Sequence, residues 1–248
     1  MTARQAVILA AGRGTRLGPL TLDRPKPLLE VGGRPLLLHI LDALAGAGIE
    51  RCTIVVGHLG DLVEREVAAA GVPLSLAFAR QEALDGTARA LAVARPLLQP
   101  GPFLVTWSDV YLEPAAFASL LAAARLPALG ALLVNPVDDP WAGAAVYVDG
   151  DMRITRIVEK PPPGTSTTPW NNAGPALLDA WVWPFIEALQ PSPRGEYELP
   201  RALAAAVEAG VSLAAVPVAG PWFDIGTPES LEAARRYAEA RRRGKVRP

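Results

Sequence analysis

From Ala6 to Trp107, apolar runs of strand length alternate with segments of helical patterning. Strands are expected over Ala6–Ala10, Thr53–Val56, Leu74–Phe78 and Phe103–Trp107, and helices over Leu36–Ala47, Leu62–Ala70 and Ala88–Leu98. A strand buried on both faces reads as a continuous apolar run, and joining parallel strands takes a crossover long enough to hold a helix. The alternation therefore predicts an α/β chain with a parallel sheet covered by helices on both faces. In such sheets ligands bind beyond the carboxyl ends of the strands. Two features stand at such ends: the glycine loop Gly12-Arg13-Gly14 after the first strand, and Asp109 after Phe103–Trp107.

The second half is less regular. Leu129–Asn135, Ala144–Val148 and Ile154–Val158 read as strands separated by Pro136, Pro140 and Asp149-Gly150, which predicts a partly antiparallel extension over the sheet edge. Residues 161–169, with four prolines and several Ser and Thr, form a candidate mobile loop. Thr227-Pro228-Glu229 sets an N-cap residue before a proline at the first helical position, so a last helix to about Arg243 is expected, with Arg241–Lys245 as a frayed tail. No linker, low-complexity segment or internal repeat divides the 248 residues. A single domain over 1–248 is expected, with no array of hexapeptide repeats.

Lys and Arg total 24 against 25 Asp and Glu, so there is no basic field of the kind that drives nucleic-acid binding. Anionic ligands must be handled by a local cluster. Cys52 is the only cysteine, which excludes an internal disulfide and a Cys-rich metal site. No secretory pattern opens the chain and no apolar run reaches membrane-spanning length, so a soluble, cytoplasmic protein without membrane contacts is expected.

The local cluster lies between Leu9 and Leu28. Glycines in the turn after the first strand let main-chain N–H groups close in on an anion, and Arg16 and Lys26 add two positive charges beside it. A phosphorylated ligand is expected. The turn is not a Walker A loop, which ends in Gly-Lys-Ser/Thr where this one ends in Gly14-Thr15-Arg16. Nor is it a dinucleotide fingerprint: Leu17 stands where the third glycine belongs, and Pro19, Pro25 and Pro27 obstruct the helix that should follow.

Leu9–Thr21 and Pro25–Leu28 closely resemble the signature L-A-A-G-x-G-T-R-L-x-P-L-T followed by P-K-P-L. That signature belongs to the sugar-1-phosphate nucleotidyltransferases, which make nucleotide sugars from a nucleoside triphosphate and a sugar-1-phosphate. Further blocks follow in the family's order over roughly residues 6–235. The resemblance implies a Rossmann-like, glycosyltransferase-A-like fold, with a nucleotide-binding half over about 1–110 and a sugar-phosphate half over about 111–235. It implies that Leu9, Ala10, Ala11, Gly12, Gly14, Thr15 and Arg16 surround the nucleotide, with Arg16, Lys26 and Asp109 as catalytic residues. The Q-x-x-x-x-G-T-A pattern puts Gln81, Gly86 and Thr87 at the base, where a Gln amide can present both a donor and an acceptor. Asp109, and Asp224 in a segment similar to W-x-D-x-G-T-P, are implied ligands of Mg²⁺, which favours hard oxygen donors. Val158–Pro161 matches V-E-K-P, implying Glu159 on sugar hydroxyls and Lys160 on the sugar phosphate. Asn172-Ala173-Gly174 matches the N-A-G that opens the next strand, with Asn172 and Gly174 toward the sugar.

The chemistry suits this inventory. A sugar phosphate attacks the α-phosphorus of the triphosphate and pyrophosphate leaves; with a second phosphate pKa of about 6 the nucleophile is already largely dianionic at neutral pH. No general base is required, and the chain has only His39 and His58. Charge neutralisation and in-line positioning carry such a reaction.

The chain departs from the pattern in two places. Ser108 replaces the usual Gly before Asp109, where a side chain could crowd the nucleotide. Gly195-Glu196-Tyr197-Glu198-Leu199 resembles the G-E-Y-E-[IL]-T-D of thymidylyl- and uridylyltransferases, but Pro200-Arg201 replaces Thr-Asp, and a helix start accounts for the two acids as well. UTP or dTTP with a hexose-1-phosphate is the expected substrate pair, with GTP and mannose-1-phosphate, or CTP and glucose-1-phosphate, as alternatives. A homo-oligomer is compatible with the family. A non-catalytic regulatory subunit of the same fold would lose its chemical residues, whereas Arg16, Lys26, Asp109, Lys160 and Asp224 are all present.

Overall fold

The structure is a computed structural model and describes residues 3–123 and 128–244. The first half contains β1 (Gln5–Ala10), β2 (Glu30–Val31), β3 (Arg34–Pro35), α1 (Leu36–Gly46), β4 (Arg51–Val56), α2 (Gly60–Ala69), β5 (Ser75–Arg80), α3 (Thr87–Ala94) and β6 (Phe103–Trp107). There follow β7 (Val110–Leu112), α4 (Pro114–Ala122), β8 (Gly130–Pro136), β9 (Ala144–Val148), β10 (Ile154–Glu159) and β11 (Trp170–Leu178). The chain continues with α5 (Trp183–Glu187), α6 (Leu199–Glu208), β12 (Leu213–Pro217), β13 (Trp222–Asp224) and α7 (Pro228–Arg242).

Strands β5, β4, β1 and β6 lie side by side in that order, all parallel. The chain thus winds outward from β1 to β5 and then jumps back across β1 to lay down β6. Their carboxyl ends diverge on either side of that reversal and leave a crevice between the loops that follow β1 and β6. Side chains alternate along β1 as the strand period requires: Ala6, Ile8 and Ala10 enter one core with α1, α2, α4 and α7, whereas Val7 and Leu9 enter the other with α3, α5 and α6. Helices therefore cover both faces, as the alternation in the sequence predicts.

The antiparallel part continues the same sheet beyond β6 instead of lying over its edge. Strand β11 runs antiparallel to both β6 and β8, β12 pairs parallel with β8, and β9 with β10 branches from β11. Asn172-Ala173-Gly174 lies inside β11 and does not open it; the pairing with β8 breaks register between Asn172 and Ala176. The helix expected to reach Leu98 stops at Ala94, because Pro96 cannot continue it, and passes into a single 3₁₀ turn at Arg95–Leu97. Residues 161–169 have no regular secondary structure, yet Gly164 N donates to Asp139 Oδ2 at 2.7 Å and Thr168 Oγ1 to the Val146 carbonyl at 2.8 Å.

The last helix also runs further than a frayed tail would allow. It includes Arg241 and Arg242, and Arg241 is ion-paired at 2.6 Å with the buried Glu113; Lys245 lies outside the described residues. Its start is a reciprocal cap: Ser230 N donates to Thr227 Oγ1 at 3.3 Å, and Thr227 N to Ser230 Oγ at 3.0 Å. Thr227→Ala removes half of this cap and is expected to cost about 1 kcal/mol, lowering the thermal midpoint by roughly 2–4 °C. Calorimetry on the variant and the parent checks it.

Candidate active site

The loop after β1 does not become a helix. Pro19 and Pro25 limit it to short 3₁₀ segments, Thr15–Thr21, kinked at Gly18, and Lys26–Leu28. Thr21 Oγ1 closes the loop by donating to the Gly14 carbonyl at 3.1 Å. Gly14 has φ +67°, and a β-carbon there would meet Lys26 Cβ at 3.0 Å, so only glycine lets the Lys26 side chain pass beneath the loop. Lys26 is buried, and its Nζ sits 2.6 Å from Asp109 Oδ2. The loop after β1 and the loop after β6 are thereby joined across the crevice.

Asp109 is placed by two backbone links. Ser108 N donates to the Leu9 carbonyl at 3.1 Å, carrying the β1–β6 pairing past the end of β6, and Ile225 N donates to the Asp109 carbonyl at 2.9 Å. Strand β13 pairs antiparallel with β7, with Asp224 opposite Val110, so Asp224 comes alongside Asp109. Solvent reaches Asp224 through the cavity, but the surrounding walls desolvate it and push its carboxyl above the usual range; the Asp109 charge pushes the same way, and Lys26 and Arg16 oppose both. Arg16 lies flat against Gly226, where a β-carbon would stand 3.0 Å from its Nη2. Among the described residues no third acidic, His or Cys side chain joins the pair into a larger ligand cluster.

One cavity, of about 290 Å³, opens between these loops and is lined by Leu9, Ala11, Gly12, Gly14, Thr15, Arg16, Lys26, Gln81, Gly86, Thr87, Ser108 and Asp109. Of the residues expected around the nucleotide, only Ala10 is turned away: its side chain packs in the opposite core, because strand residues alternate. Ser108 is buried in the wall and narrows it where the usual glycine would leave room. Gln81 is buried, and its Nε2 donates to Asp85 Oδ1 at 3.1 Å and to the Gly86 carbonyl at 3.2 Å. The amide donors are thus spent inside the turn, and the side chain offers Oε1 as an acceptor instead of a donor–acceptor pair. Gly86, at φ +123°, is required by protein packing: a β-carbon would lie 2.5 Å from both the N and the O of Tyr197.

A second cavity, of about 440 Å³, adjoins the first and brings together Glu159, Lys160, Asn172, Gly174 and Asp224, walled by Trp107 and Trp222. Lys160 holds a left-handed backbone, φ +45°, fixed by its N–H donating to the Gly143 carbonyl at 2.8 Å. Such a conformation costs a side-chain-bearing residue about 1–2 kcal/mol and persists only where surrounding contacts impose it. Asn172 Oδ1 accepts from Gly174 N at 2.9 Å, and Gly174 holds φ +109°, which disfavours a side chain, with a β-carbon there lying a tight 3.2 Å from a Val110 methyl. Burial raises the Glu159 carboxyl to about 7; Glu196 adds to the rise, while Arg194 and Arg201 oppose it.

Arg194 lines the candidate site, and motif matching does not single it out. It reaches toward Glu159 at 3.9 Å and Glu196 at 3.8 Å, pairs with Glu198, and lines the second cavity. The only signal in the sequence is its place one residue before Gly195-Glu196. The strap that carries it is bonded to the turn before α3: Tyr197 N donates to the Asp85 carbonyl at 2.7 Å, Ala88 N to the Tyr197 carbonyl at 2.8 Å, and Leu199 N to Thr87 Oγ1 at 2.8 Å. Arg16, Thr87, Trp107, Asp109 and Glu196 border both cavities, so the two meet at Asp109.

Residues 5–241 match the model of a protein family described as nucleotidyl transferase. The chain belongs to the nucleotidyl transferase family. Among curated relatives of this member, the UTP–glucose-1-phosphate uridylyltransferase AglF of Haloferax volcanii is 34% identical over 240 residues, covering 93% of this chain and 94% of that protein. The mannose-1-phosphate guanylyltransferase catalytic subunit beta of Drosophila pseudoobscura pseudoobscura is 35% identical over 233 residues, 92% of this chain but 60% of that protein. A UDP-glucose pyrophosphorylase solved in complex with UDP-glucose superposes with a TM-score of 0.85 at 19% identity, over 96% of this chain and 99% of that one, and shares the fold. The family's α/β architecture, a mostly parallel sheet between helices, is the one described above.

The raised Glu159 carboxyl has a consequence for stability. In the folded chain it ionises near 7, against about 4.5 in water, so the folded state binds the extra proton between those values and loses stability as pH rises through them. Glu159→Gln carries no such charge. It is expected to be more stable than the parent above pH ~7.5 and no different from it near pH ~4. Urea unfolding at the two pH values reads the sign directly.

Proposed function

We propose that this chain transfers a nucleotidyl group from UTP or dTTP to a hexose-1-phosphate, giving a nucleotide sugar and pyrophosphate. The observation that carries the reading is the meeting of two cavities at Asp109, with the cations Arg16 and Lys26 on one side and Lys160 and Arg194 on the other. The first cavity, lined mostly by the half of the chain before residue 111, takes the triphosphate; the second takes the sugar phosphate. The glycine loop offers N–H groups that no helix consumes, and Arg16 faces the same space.

The donor set fits a divalent cation such as Mg²⁺. Asp109 and Asp224 are hard oxygen donors side by side, and the Asp224 carboxyl, raised first by burial and then by the Asp109 charge, is one that a bound cation would stabilise in its ionised form. Bound there, Mg²⁺ neutralises phosphate charge. The chain's own part is electrostatic. Lys26, fixed by Asp109, stands where charge develops around the α-phosphorus, and Arg16 steadies the phosphates from the other side of the loop. Lys160 and Arg194 hold the nucleophilic phosphate, while Glu159, Asn172 and Gly174 face the sugar ring.

The acceptor left on Gln81 suits the ring N3–H of uracil or thymine; cytosine has no ring N–H there and offers only its exocyclic amino group. The uridylyltransferase relative supports the same choice. Guanine also carries such an N–H, and the guanylyltransferase relative keeps GTP with mannose-1-phosphate as a second reading.

Pyrophosphate release across a panel of four or five triphosphates and common sugar-1-phosphates is expected only when triphosphate, sugar-1-phosphate and Mg²⁺ are all present. No release above the metal-free blank in any combination leaves the non-catalytic subunit as the reading. Asp109→Asn and Asp224→Asn keep size and hydrogen bonding while removing charge, and turnover is expected to fall by about two orders of magnitude or more. Near-normal turnover of either variant at limiting Mg²⁺ removes that residue from the metal site. Lys160→Ala is expected to raise the KM for sugar phosphate with triphosphate affinity unchanged, whereas Lys26→Ala lowers kcat, since its charge acts most strongly in the transition state. Calorimetric titration with triphosphate beside steady-state kinetics separates the two effects.

A further inference from the structure

The two carboxylates at the meeting of the cavities hang on a ribbon of only two short strands, β7 and β13, three residues each. So short an antiparallel pair is not stable by itself. What holds it lies on the side away from the cavities. The Tyr237 ring, on the last helix, packs against Phe223 of β13 at 5.5 Å between centroids and against Tyr111 of β7 at 6.3 Å, and Tyr111 and Phe223 meet at 6.1 Å. Phe223 and Tyr111 are direct cross-strand partners in the ribbon, and Phe223 immediately precedes Asp224.

A charged lock closes this stack. Glu113 directly follows β7, stands just before the first residue of α4 and is buried at 5% exposure. Its Oε1 accepts from Arg241 Nη1 at 2.6 Å and from Tyr237 Oη at 3.3 Å. A buried carboxylate with a single cationic partner is strongly tied to it, because losing the partner leaves an uncompensated charge. Arg241 and Tyr237 lie one helical turn apart on α7, so both act on Glu113 from one face.

We propose that the Glu113–Arg241–Tyr237 lock is a positioning device for the carboxylates of Asp109 and Asp224, setting their separation from behind the ribbon and so setting divalent-cation affinity. None of the three residues lines either cavity, so they act through the ribbon and not on substrate. The inference rests on the reading of Asp109 and Asp224 as a cation site. It gives the last turn of α7 a role in the chemistry and not only in the core.

The test uses the full chain saturated with the nucleotide sugar it accepts in pyrophosphorolysis, titrated with Mn²⁺ while free Mn²⁺ is followed by electron paramagnetic resonance. Asp109→Asn serves as the site-free control. Arg241→Met is expected to weaken Mn²⁺ binding on the order of tenfold, the size typical of losing an outer support of a metal ligand. Arg241→Lys, which can still reach one carboxylate oxygen, is expected to restore most of the affinity, and nucleotide-sugar affinity measured in a chelator is expected to stay unchanged. Because Arg241→Met strands a buried charge, Glu113→Gln/Arg241→Met, which removes both charges, is measured beside it and is expected to remain folded with the same loss. Equal Mn²⁺ affinity in the parent and in both variants, whatever their thermal midpoints, overturns the lock as a positioning device. If the parent binds no more Mn²⁺ than Asp109→Asn, the two-carboxylate site is wrong, and the proposal falls with it.

Discussion

The ion pair between Lys26 and Asp109 is the contact on which the site depends. It spans the point in the parallel part of the sheet where the chain reverses its winding, and it joins a loop leaving β1 to a loop leaving β6. Removing two charges from water costs several kcal/mol per ion unless geometry is good, and replacing such a pair by apolar groups often gains stability. Its value is therefore positional. The pair draws a cation and a carboxylate into the crevice, in a chain whose overall charge is nearly balanced.

The surrounding parts are arranged so that each active side chain is held by backbone elsewhere. Glycines at 14 and 226 matter for the space they leave to Lys26 and Arg16. Strand β11 breaks its pairing at the residues that turn Asn172 and Gly174 toward the second cavity, and Trp222 Nε1 donates at 2.8 Å to the Ala173 carbonyl within that break. The β13 segment thus touches both the second cavity, through Trp222, and the carboxylate pair, through Asp224. Few of these supports involve long or mobile side chains, which keeps the entropy cost of organising the site low.

Much of this was legible in the sequence. The parallel half could be read from periodicity, because strands buried on both faces leave an unmistakable apolar run. The glycine loop, Gln81, Asp109, Glu159, Lys160, Asn172, Gly174 and Asp224 fall into two adjoining cavities, as the motif order suggested. The misses have physical causes. Ala10 sits within the motif, but strand alternation turns its side chain to the far core. The Gln81 donors were counted as free because nothing local reveals that Asp85 and Gly86 fold back onto them. Arg194 and the Glu113–Arg241 pair depend on residues brought together from distant segments, which one sequence does not encode in any short pattern. The basic run at 241–243 reads as a solvated tail until tertiary contact shows Arg241 bound to a buried acid.

The contact of Gly86 with Tyr197 bears on how such a chain can change its substrates. The turn before α3 and the strap that carries Arg194 share main-chain hydrogen bonds and leave no space for even a methyl group between them. A mutation that reshapes one must move the other. The linings of the two cavities are thus tied together, and a change of shape in the first at this turn is passed on to the second. Redesign of either cavity alone would have to begin by loosening that seam.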